Sequence, residues 1–178
     1  MSYKNENMKI IELHENGLDI RFRIRENGVV ELADFSSQEV KKAVMEPKED
    51  ICYPAVEIHR SGTGSLNMHA YKNNINKSSV DFVYENHELK AQDGGKELEI
   101  VMVSPEKLKA VYHMRLFDGV PAVQTWTEII NEGSEDQGLT YVSSFIYQGI
   151  SRGGEKPYYK KTDIYVPFNS WCCEAQWQ

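Results

Sequence analysis

Hydrophobic and polar residues alternate with a period of two through most of the chain. Leu18, Ile20, Phe22 and Ile24 are interleaved with Asp19, Arg21, Arg23 and Arg25, as expected of a strand with one face on a core and the other in water. Leu108, Ala110, Tyr112, Met114 and Leu116 alternate in the same way with mostly polar neighbours, and Val56–Ile58, Val80–Phe82–Tyr84 and Leu98–Ile100–Met102 repeat the pattern in shorter form. Asn16-Gly17, Asn27-Gly28, Asp93-Gly94-Gly95 and Asp118-Gly119 fall between these runs and supply the positive φ that tight hairpins need. Antiparallel strands joined in this way must bury one face of a sheet, so the predicted fold is all-β, a large antiparallel β-sandwich. A single segment suits a helix: Ser36 to Met45 opens on capping residues, places Val40 and Val44 four apart and stops before Pro47, which predicts one or two turns.

At 178 residues the chain can bury one substantial core, and with no repeat or linker in view residues 1–178 read as a single β-sandwich domain. The 20 Lys+Arg against 27 Asp+Glu give a net charge of −7, which repels phosphate backbones and argues against nucleic acid as a partner. The 40% of hydrophobic residues are scattered in short pieces, none long enough to span a bilayer. The first residues, Met1 to Met8, lack the apolar stretch of a secretory signal. Cys52, Cys172 and Cys173 do not make a disulfide framework, because adjacent side chains on an extended backbone point to opposite faces. Reduced thiols in a cytoplasmic protein are the expectation. With no Cys-x-x-Cys pair and no histidines beside the cysteines, neither a metal nor a cofactor is expected.

Candidate chemistry is sparse. The chain has no Gly-x-Ser-x-Gly elbow, phosphate-binding glycine loop or His-Glu-x-x-His helix. His59 and His69 flank the polar loop Ser61-Gly62-Thr63-Gly64; each is either a satisfied hydrogen-bonding residue or a general acid for a sugar ring oxygen. His113 alternates onto the polar face of its strand with Lys109 and Arg115, where a solvated position is expected. Asp50, Glu57 and Glu174 are the carboxylates nearest to aromatic or loop-like surroundings, but spacing along a chain cannot set the separation that glycoside hydrolysis requires. Trp171, Glu174 and Trp177 form the most suggestive cluster, since indoles stack on sugar rings while a carboxylate accepts from their hydroxyls. Burial of one Trp in the core is the competing explanation.

The stretch from Asp118 through Trp126 and Asn131 to Gly133 resembles the N-terminal β-domain of family 36 glycoside hydrolases, mostly α-galactosidases. Ser143-Ser144-Phe145, Asn169-Ser170-Trp171 and Glu174-Ala175-Gln176-Trp177 follow in that family's order, and Asp50-Ile51-Cys52-Tyr53-Pro54-Ala55 is similar to an earlier segment of it. The resemblance covers roughly residues 28 to 178 and implies a β-supersandwich like that of galactose mutarotases, followed in the family by a (β/α)₈ barrel that carries the catalytic carboxylates. The barrel motifs are absent from this sequence, and the aromatic-rich run at 171–178 reads as a cut through a longer protein. The supersandwich is therefore expected to be incomplete, and no catalytic residue is assigned.

The resemblance further implies a non-catalytic part of an α-galactosidase-like hydrolase that supports the barrel and homo-oligomer assembly and meets an α-galactoside or other carbohydrate. Asp50, Trp171 and Glu174 match family positions and are the hypothetical substrate-binding or interface residues, while Cys52 stands where the family has Arg. A sugar mutarotase or epimerase and a free carbohydrate-binding module are the alternatives. The former would need a convergent His/Glu pair, with His59 or His69 as first candidates.

Overall fold

The computed structural model describes residues 9–37, 53–63, 77–147, 167–170 and 173–177. The chain divides into two compact units, Met1–Gln148 and Gly149–Gln178. In the first, β1 (Lys9–Glu15), β2 (Leu18–Ile24) and β3 (Val30–Ser37) form an antiparallel sheet in that order. After β4 (Ile58–Arg60) and the short helix α1 (Lys77–Val80), four strands form a second antiparallel sheet. They are β5 (Val83–Gln92), β6 (Gly95–Val103), β7 (Leu108–Phe117) and β8 (Val120–Asn131). The last strand of this unit, β9 (Leu139–Val142), pairs with β4. The second unit contributes the antiparallel pair β10 (Pro167–Ser170) and β11 (Cys173–Trp177).

The predicted reversals are where the sheets turn. Asn16 and Gly17 both adopt positive φ (51° and 83°) between β1 and β2, the twist that a two-residue hairpin demands. Asp93-Gly94 joins β5 to β6 and Asp118-Gly119 joins β7 to β8. Gly28 has a stricter requirement: its φ is +84°, and an added Cβ would lie 2.8 Å from Val83 Cβ. That close approach lets the Tyr84 amide donate to the Gly28 carbonyl at 2.8 Å, which ties the two larger sheets together.

The alternating residues make the core. Leu18, Ile20, Phe22 and Ile24 of β2 share one buried cluster with Leu98, Ile100 and Met102 of β6. The inward residues of β7, from Leu108 to Leu116, belong to the same cluster. Phe22 meets Tyr112 edge-on across the interior, ring centroids 5.7 Å apart, so the three- and four-stranded sheets pack as a β-sandwich. Each such side chain contributes about 1.5–3 kcal/mol by leaving water, and burial pushes the Tyr112 phenol well above its ordinary pKa.

Two local expectations differ from the structure. The helix predicted from Ser36 is not formed at its start: Ser36 and Ser37 continue β3, paired with Asp19 and Leu18, and the rest of that segment lies outside the described residues. Val80–Phe82–Tyr84 is not one strand, because Val80 closes α1 and β5 begins at Val83. The cause lies in the two serines before it. Ser79 and Ser78 accept from the Ile58 and Arg60 amides through their hydroxyls, capping the edge of β4 from a turn of helix.

Candidate functional site

Of the residues singled out in the sequence, Asp50, His69 and Trp171 lie outside the described residues. Glu174 is on β11 by its backbone, and its side chain also lies outside them. Glu57 and His59 come together: Glu57 is buried just before β4, and its Oε1 lies 2.8 Å from His59 Nε2. Tyr141, opposite His59 in the β4–β9 register, places its ring centroid 5.1 Å from the imidazole.

His113 is where alternation places it, on the same face of β7 as Lys109 and Arg115, but it is not solvated. It is only 8% exposed. The reason lies on the neighbouring strands. Trp126 of β8 sits directly opposite His113 and stacks on the imidazole, centroids 4.6 Å apart and planes within 5°. On the other side, β6 presents Glu99 opposite His113 and Glu97 opposite Arg115.

The outer face of the four-stranded sheet thus gathers carboxylates around one imidazole. His113 Nδ1 lies 2.9 Å from Glu97 Oε1 and 3.9 Å from Glu99 Oε1. Its Nε2 lies 3.8 Å from Glu128 Oε2. Glu97 and Glu99 share a face because they are two apart on a strand, and the same alternation sends Leu98 and Ile100 into the core. Among cations, Lys90 of β5 binds the far oxygen of Glu99. Arg115 instead donates to the Asp93 carbonyl at 3.0 Å and covers the Phe117 ring.

Glu97, Glu99, Trp126 and Glu128 were not candidates from sequence. Their signal was present but indirect: the turns at Asp93-Gly94 and Asp118-Gly119 bracket β6 to β8, and only the resulting register brings these residues to His113. No protein-family model matches the chain, and no curated protein matches it.

Proposed function

We propose that the chain is a non-catalytic β-sandwich domain of an α-galactosidase-like glycoside hydrolase, which packs against a (β/α)₈ barrel and supports assembly of the enzyme. The observation that carries this reading is the place of the family-like segment at a sheet edge, with exposed apolar side chains on it and after it. That stretch, Asp118 to Gly133, builds β8, the edge of the four-stranded sheet. Val120 and Ile130 on it, Leu139 and Tyr141 on β9, and Phe145 beyond are all between 36% and 50% exposed. A long strand at a sheet edge with exposed apolar side chains favours contact with another folded body.

On this reading Asp50, Trp171 and Glu174 remain the residues proposed to meet carbohydrate or a neighbouring subunit, in a cytoplasmic enzyme. Among the described residues no helix is long and apolar enough to cross a membrane. The Glu57–His59 pair beside Tyr141 favours a second reading, a sugar mutarotase. Polarimetry with α-galactose, run beside calorimetric titration with galactose, raffinose and melibiose, separates the two. The domain reading expects anomers to interconvert no faster than in buffer. Faster interconversion that is lost in His59→Asn would replace it with the enzyme reading.

A further inference from the structure

We propose that Glu97, Glu99 and His113 form a binding site for a divalent transition-metal cation of the zinc or manganese type, with Glu128 orienting the imidazole. Three potential ligand atoms, one from each of the three residues, all lie within 4.8 Å of one another. Metal–nitrogen and metal–oxygen bonds of about 2.0–2.2 Å need only small side-chain movements from that arrangement. The supports are rigid, since β6 and β7 are the two inner strands of their sheet and are paired along both edges. Trp126 holds the imidazole plane from its stacked position.

Charge points the same way. Three carboxylates surround the imidazole, whereas among the described residues Lys90 is the cation that pairs with one of them on this face. Arg115, which faces Glu97 in register, donates to the Asp93 carbonyl and makes no ion pair with these carboxylates. A divalent cation would offset the remaining negative charge.

An independent observation comes from the other ring nitrogen. His113 Nε2 is buried without a hydrogen-bond partner, in a residue that is 8% exposed, and the Glu128 carboxylate is 3.8 Å away. Leaving a buried polar atom unpaired is costly. A cation on Nδ1 would fix the ring proton on Nε2, aimed at Glu128, and a ligating histidine characteristically donates its second nitrogen to a carboxylate in this way. The unpartnered atom thereby gains a role.

The donor set selects the ion class. An imidazole with carboxylates suits zinc or manganese, whereas calcium and magnesium favour shells of oxygen alone. Three protein ligands leave a position open to water. The sequence, with no histidines beside its cysteines, predicts no metal; the carboxylates that flank His113 come from the paired strand β6 and are brought to it by register alone.

The test is calorimetric titration of the chelator-stripped chain with zinc and with manganese, joined to X-ray absorption of the zinc-loaded protein. One equivalent of zinc is expected, in a shell of nitrogen and oxygen near about 2.0–2.1 Å with no sulfur near about 2.3 Å. Glu97→Gln and Glu99→Gln should each weaken binding by at least about tenfold. Lys90→Met removes the competing ammonium and should tighten it, a gain that damage to the fold cannot imitate. A sulfur shell, absence of stoichiometric binding, or an affinity unchanged by all three substitutions would overturn the proposal.

Discussion

Each of the two larger sheets carries a buried polar cluster, and the two clusters differ in kind. In the three-stranded sheet, Glu31 is 1% exposed and fully answered. Arg23 reaches its Oε2 with two nitrogens at 3.0 and 2.8 Å, while Arg25 and the Tyr53 amide reach Oε1 at 3.2 and 2.9 Å. In the four-stranded sheet, three carboxylates converge on one imidazole whose second nitrogen has no hydrogen-bond partner. The first cluster is complete within the protein and its role is to hold strands in register. The second carries excess negative charge, and that imbalance separates a ligand site from a structural ion pair.

The comparison can be broken by substitution, and the largest effect is expected at Glu31. Glu31→Ala removes the acceptor shared by Arg23, Arg25 and Tyr53, and should cost about 3–5 kcal/mol in urea unfolding. Next is Trp126→Ala, which uncovers His113; the lost stacking and partial burial should cost about 1–2 kcal/mol. Glu97→Gln should behave in the opposite sense to a broken ion pair. It relieves carboxylate crowding while its amide oxygen still accepts from His113, so metal-free stability should stay within about 1 kcal/mol of the parent. A loss comparable to that of Glu31→Ala would show the second cluster to be structural after all.

The smallest effect concerns another histidine of the same sheet. His87 faces the Tyr84 hydroxyl at 2.8 Å rather than carboxylates, and burial followed by the Lys9 charge lowers its pKa from the ordinary 6.5. The unfolded chain therefore binds the proton more readily between the lowered value and 6.5, so His87 contributes a small gain in stability as pH rises through that window. His87→Asn should flatten this slope, and an NMR titration should place the His87 midpoint below 6.5.

Much of the fold was legible in the chain because period-two alternation and turn chemistry are local. Ile20, Phe22, Leu98 and Tyr112 are buried as their spacing predicts, and the Asn-Gly and Asp-Gly pairs mark real turns. The helix expected from Ser36 shows the limit: capping residues also suit a strand when Asp19 and Leu18 lie across from them. His113 shows the same limit for chemistry. Its face could be read, but its burial depends on Trp126, which reaches it only through the β7–β8 register. Residues Glu97, Glu99 and Glu128 look like ordinary solvated charges until three strands are aligned.

The most direct test of the difference between the clusters is thermal unfolding of the metal-stripped chain, Glu31→Gln and Glu99→Gln, each with and without zinc. A ligand that binds the folded state raises its melting temperature. Zinc should raise Tm in the parent and in Glu31→Gln, however low the starting value of the latter, and leave Glu99→Gln nearly unmoved. Equal shifts in all three proteins, or none in any, would contradict the account.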